Sequence, residues 1–172
     1  MSEYQVAPAH LSYATIQGVA EELSKSYRQK QGNDSLAVDL NAVLRDIDGD
    51  IEYGVGAESS FIDDKKQFHI YLPNMTSPRR DRFTIAHELG HYFFHYVYPQ
   101  FHNMKPSKKF GRGGHNRAET QANVFASAFL MPKSLFTKVF AEKKGDLQSV
   151  ADAFLVSVPA ASVRAQILNL GD

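Results

Sequence analysis

The chain has 172 residues, with 19 Lys and Arg against 19 Asp and Glu, 43% hydrophobic residues and no cysteine. That balance fits one soluble domain with a genuine core, argues against a protein that meets nucleic acid with its whole surface, and excludes disulfides, thiolate chemistry and cysteine metal sites. No apolar run is long enough to span a membrane, and Met1-Ser2-Glu3-Tyr4-Gln5 lacks a basic-then-apolar leader, so a cytoplasmic location is the default expectation.

Residues 12–31 read as a packing helix with Ile16, Ala20, Leu23 and Tyr27 on one stripe, closed by Gly32-Asn33. A shorter helix follows from about Asp39, its cap, to Asp46, with Leu40, Val43, Leu44 and Ile47 inward. Asp48-Gly49-Asp50 is a turn whose aspartates lack the spacing of a twelve-residue calcium loop. Ile51, Tyr53 and Val55 alternate, a second strand lies near 59–63, and Phe68, Ile70 and Leu72 alternate after an Asp63-Asp64-Lys65-Lys66 hairpin turn. These segments predict an α+β fold with a small, mostly antiparallel three-stranded sheet packed on helices. Either 67–72 or the stretch around Ile51 is nominated as an edge able to hold an extended peptide.

Ser77-Pro78 opens the next helix, read as ending near Val97 because Pro99 follows. Within it stands Arg82-Phe83-Thr84-Ile85-Ala86-His87-Glu88-Leu89-Gly90-His91. Residues four apart share a helix face, so His87 and His91 can aim imidazoles at one point, a spacing suited to a tetrahedral zinc ion. Glu88 can lean toward a water on that ion as general base. The apolar residues Phe83, Ala86, Leu89, Gly90, Phe93 and Phe94 place the histidines at a cleft wall, and Gly90 predicts a close neighbour, a strand or a second site helix. Residues 100–116 form a basic irregular loop, open both to a solvated role and to attracting an acidic peptide or nucleic acid.

A helix from about Arg117 to Leu130 carries the buried stripe Ala118, Ala122, Phe125, Ala126 and Phe129, with Glu119 and Asn123 on a neighbouring face. Pro132 opens another helix, and 146–170 reads as a helix-turn-helix-like tail of the same single domain, 1–172. A catalytic zinc site needs a third protein ligand, for which Glu119, His95, His102, His115 and Asp81 are the candidates. Phe94 and Val97 stand where the longer three-histidine motif needs glycine and histidine, which excludes that class.

The 82–91 block, followed by Glu119-x-x-Ala122-Asn123-x-Phe125-Ala126-x-x-Phe129-Leu130-Met131-Pro132, resembles the ImmA/IrrE family of zinc metallopeptidases. The approach to the motif and the closing 150–157 segment with Arg164 extend that resemblance over most of the chain. It implies a zincin-like minimal metallopeptidase with a helical C-terminal tail, Zn2+ on His87, His91 and Glu119, and Glu88 as the catalytic glutamate. It also implies site-specific cleavage of a helix-turn-helix transcriptional repressor, in stress, DNA damage or mobile-element induction; a defence-linked target is a further possibility the residues do not separate. Asn123 is assigned to orienting Glu119 or touching substrate. Tyr92, His95, His102, Arg112 and His115 are candidates for a second oxyanion donor. The competing reading is a non-catalytic zinc-containing regulator that binds a repressor or DNA. Direct nucleic-acid binding is less favoured, no membrane partner is expected, and the oligomeric state is not readable.

Overall fold

In the computed structural model, residues 5–32, 34–111 and 116–171 are described. Local chemistry sets the element boundaries. Helix α1 (Tyr13–Gln31) starts where the Ser12 side chain accepts from Thr15 N–H, and it ends at Gly32, whose φ of 65° is the left-handed cap that glycine adopts without steric cost. In α2 (Leu40–Asp46), Asp39 caps two backbone N–H groups. Helix α3 (Pro78–His91) has Ser77 as cap and Pro78 in its first turn.

Strands β1 (Gly49–Gly54), β2 (Ser59–Ile62), β3 (Phe68–Pro73) and β4 (Lys109–Gly111) form one mixed sheet in the order β1-β3-β2-β4. The expected three-stranded, mostly antiparallel sheet is therefore corrected. β3 runs parallel to β1 and antiparallel to β2, and β4 adds a fourth strand antiparallel to β2. β2 and β3 form the expected hairpin, with Lys66 N–H donating to Asp63 O and Lys66 at φ 68°. β3 then inserts between β1 and β2, so 67–72 is an interior strand and not an edge. Its Phe68, Ile70 and Leu72 are buried, as the alternation predicts. The edges among the described residues are β1 and β4, and β4 lies inside the stretch read as an irregular loop.

On the sheet's outer side His69 lies between Asp50, 2.8 Å from Nδ1, and Asp63, 3.2 Å from Nε2. Burial works to lower the His69 pKa, but the bonds to Asp63 and Asp50 outweigh it and hold it above the ordinary value of 6.5. A raised histidine stabilises the fold fully below about pH 6.5 and loses that contribution as pH rises through the folded-state value. The site is partly solvated, so the effect is under about 1 kcal/mol. Urea unfolding of wild type and His69→Gln should therefore separate at pH 5.5 and converge toward pH 8; a gap that widens with pH would contradict this assignment.

The helical run through the site does not stop before Pro99. A π-helical turn (Tyr92–Val97) follows α3, with Tyr98 N–H donating to Phe93 O, and α4 (Tyr98–Phe101) accepts Pro99 in its first turn. The proline leaves the carbonyl of His95, four residues back, without its helical donor, and Ser107 N–H donates to that oxygen instead at 2.8 Å. Helix α5 (Arg117–Leu130) is capped by Asn116, and its stripe of Ala118, Ala122, Phe125, Ala126 and Phe129 is fully buried. Then come α6 (Lys133–Glu142), α7 (Leu147–Phe154) and α8 (Val158–Ile167). α7 and α8 meet at 103°, with Leu155 left-handed between them. Arg79 ties the tail to α3 through Asp152 at 2.7 Å. No single helix among the described residues is long and apolar enough to cross a membrane.

α5 is the close neighbour that Gly90 requires. A Cβ at Gly90 would lie 3.0 Å from Ala122 Cα and 3.1 Å from Ala122 O, backbone atoms that cannot rotate away. Alanine is intrinsically the better helix former by about 1 kcal/mol. Gly90→Ala should nevertheless destabilise by roughly 1–3 kcal/mol, because the two helices must separate. A raised melting temperature would show that the helices do not press together here.

Candidate metal centre

Three side chains from α3 and α5 converge. The Nε2 atoms of His87 and His91 lie 3.1 Å apart. Glu119 places Oε2 3.1 Å from His87 Nε2 and Oε1 3.1 Å from His91 Nε2. The helix spacing puts both imidazoles on one face, and the small residues at the α3–α5 crossing bring α5 near enough for Glu119 to reach them. His87, His91 and Glu119 form a group that could hold a metal ion. The distances fit that use: tetrahedral bonds of about 2.0–2.1 Å place ligand atoms roughly 3.3 Å apart.

The donor chemistry also fits. His87 Nδ1 lies 2.7 Å from Asn123 Oδ1, an acceptor, so Nδ1 carries a proton and Nε2 is the nitrogen turned to the group. Burial works to raise the Glu119 carboxyl, but hydrogen bonds and charge from the His87 and His91 rings, when these carry Nε2 protons, outweigh it and hold it below the ordinary carboxylate range. A cation that displaces those protons meets two imidazole lone pairs and an anion at a single point.

Glu88 is almost fully buried and lies against this group. Burial raises its pKa, while the neighbouring His91 and His87, and a bond from Ser60, oppose the rise. Ser60 Oγ donates to Glu88 Oε2 at 2.5 Å. Ser60 was not legible from the sequence as a site residue; the only hint was a hydroxyl at an inward position of a short strand. Phe110 of β4 was missed as well. It stacks on His91 with centroids 5.2 Å apart and planes 15° apart, so the basic stretch supplies one wall of the site.

The remaining candidates lie elsewhere. Asn123 meets His87 and is placed to orient that ring. His95 contacts the far side of His91, Nδ1 to Nδ1 at 2.9 Å, and is not in the converging group. Burial pushes its pKa down to about 4, so it is neutral at physiological pH. Tyr92 packs among Phe68, Phe93 and Tyr96. His102 is exposed, with its ring against Tyr98. Asp81 accepts from Thr76 at the start of α3. Arg112 and His115 lie outside the described residues. A groove of about 780 Å³ opens beside Asn123 between α3, α5 and α8, with Phe83, Val124, Val163 and Ile167 among its lining residues.

Residues 51–166 match the family model described as Peptidase_M78, IrrE N-terminal-like domain. The chain belongs to this peptidase family. Comparison with curated proteins gives no match. Among solved structures, a Mycobacterium tuberculosis transcriptional regulator is similar in fold, with a TM-score of 0.59 and 20% identity over 88% of this chain. The match covers 47% of that regulator, so the chain spans about half its length.

Proposed function

We propose that the protein is an intracellular zinc endopeptidase that cleaves a helix-turn-helix transcriptional repressor, with His87, His91 and Glu119 holding the metal and Glu88 as general base. The observation that carries this reading is the mutual 3.1 Å approach of two imidazole Nε2 atoms and one carboxylate, with a second buried carboxylate alongside. Three protein donors leave one coordination corner open, as catalytic zinc sites do. Zinc bound there would acidify a water and polarise a peptide carbonyl. Ser60 holds one oxygen of Glu88, leaving the other to take a proton from the attacking water and deliver it to the departing amine nitrogen. Burial makes Glu88 a stronger base than a solvated glutamate.

β4 ends the sheet beside His91, where an extended peptide can add as a further strand. The apolar groove beside Asn123 has room for substrate side chains. The repressor as substrate rests on the ImmA/IrrE resemblance.

The competing reading, a non-catalytic regulator binding a repressor or DNA, draws on the helix-turn-helix-like angle of α7 and α8. The chemistry of that tail does not favour DNA. Arg164, the only Lys or Arg between 146 and 170, is buried and donates to Met131 O and to Glu21. Phosphate contacts need exposed cations. The test is to incubate the zinc-loaded protein with helix-turn-helix repressors from the same genome and read the products by mass spectrometry. A defined cut, abolished by chelator and restored by zinc, is expected. An intact repressor that still binds would overturn the peptidase reading in favour of the regulator.

A further inference from the structure

The far side of His91 leads into a buried polar chain that ends on the main chain of the N-terminal segment. His91 Nδ1 lies 2.9 Å from His95 Nδ1, and His95 Nε2 lies 3.0 Å from Gln121 Oε1. Gln121 in turn bonds the backbone of residue 9: Ala9 N–H donates to Gln121 Oε1 at 2.9 Å, and Gln121 Nε2 donates to Ala9 O at 2.8 Å. Gln121 is fully buried on the α5 face that otherwise carries alanine and phenylalanine. An amide is costly in such a place unless its bonds are made.

The chain has only one consistent assignment of protons. A backbone N–H can only donate and a backbone carbonyl can only accept, so Ala9 fixes which end of the Gln121 amide is oxygen. Gln121 Oε1 accepts, so His95 Nε2 must carry the proton. A neutral imidazole carries one, which leaves His95 Nδ1 bare and able to accept. His91 must then donate from Nδ1, which keeps Nε2 as the nitrogen facing Glu119 and able to give a metal its lone pair.

We propose that Gln121, clamped by the Ala9 backbone, sets the tautomer of His95 and through it that of His91, so that the N-terminal segment and α5 together hold His91 in its metal-binding form. His95 and Gln121 are positioning residues. This inference rests on the metal-site reading above, yet it makes a statement about protons that can be tested apart from it. Hydrogen-bond partners of this kind typically alter metal affinity 10–100-fold.

The decisive experiment is ¹⁵N–¹H correlation of the histidine rings in wild-type protein, metal-free and zinc-loaded. His95 should show a protonated Nε2 and a bare Nδ1 in both states; a proton on His95 Nδ1 would overturn the relay. Zinc affinity by chelator competition adds a second readout. Gln121→Leu keeps the bulk but loses the acceptor, and should weaken zinc binding at least tenfold. Gln121→Glu keeps the acceptor while losing the donation to Ala9 O, and should recover most of that loss. Equal losses in both variants would show a merely structural pin and contradict the proposal. If wild type binds no zinc, the metal-site reading falls, and the His95 tautomer alone decides the relay. If a variant fails to fold, the wild-type spectra still decide it.

Discussion

Glu88→Gln should lose peptide-bond cleavage by at least a hundredfold while binding zinc nearly as well as wild type. Glutamine keeps the shape and can still meet Ser60, so the centre stays intact, and Glu88 is not among the three converging donors. It removes the one group placed to accept a proton. General-base assistance contributes about 10²–10⁴-fold to a reaction of this kind. The paired readout makes the result interpretable: product formation must fall with metal content unchanged. Cleavage at the wild-type rate would mean that the proton goes elsewhere and the mechanism is wrong. A parallel loss of zinc would mean that Glu88 acts as a ligand.

Glu119→Ala should produce the largest change in metal binding. Glu119 supplies the only anion in the converging group, and each of its oxygens faces a different imidazole. Its removal leaves two neutral nitrogens and no third protein donor, which is too few for a catalytic zinc site. Zinc affinity should fall by tenfold or more, with activity falling alongside it. Glu119→Gln, which keeps the reach of the side chain but loses the charge, should be intermediate. Unchanged affinity in Glu119→Ala would move the third ligand to another residue. His95 is then poorly placed to replace it, because its Nδ1 faces the wrong nitrogen of His91.

The parts of this site that follow helical periodicity were legible in the sequence. Four-residue spacing alone puts His87 and His91 on one face, and Gly90 between them announces a tight helix crossing. The identity of the crossing helix was not fixed by spacing, and Glu119 stood out from the other candidate ligands only through the family resemblance. Ser60 and Phe110 were not legible, because they reach the site from strands whose pairing depends on partners distant in sequence. The sheet shows the same limit. Residues 55–58 join two strands that look like successive members of a meander, yet β3 slots between them, and nothing local encodes that insertion. Pro99 misled for a specific reason: the carbonyl it leaves unpaired, His95 O, accepts from Ser107 N–H, a donor that no local pattern reports. Gln121 gave a faint signal as an amide on an apolar helical stripe, but its partner is a backbone group of residue 9, which no side-chain pattern reports.

The central claim is that one cation is shared by His87, His91 and Glu119, and X-ray absorption at the zinc edge on the loaded protein tests it most directly. The account expects two imidazole nitrogens and at least one carboxylate oxygen at about 2.0–2.2 Å, with the imidazole contribution halved in His91→Ala. A zinc shell made only of water and scattered carboxylates, unchanged when any of the three residues is removed, would contradict it.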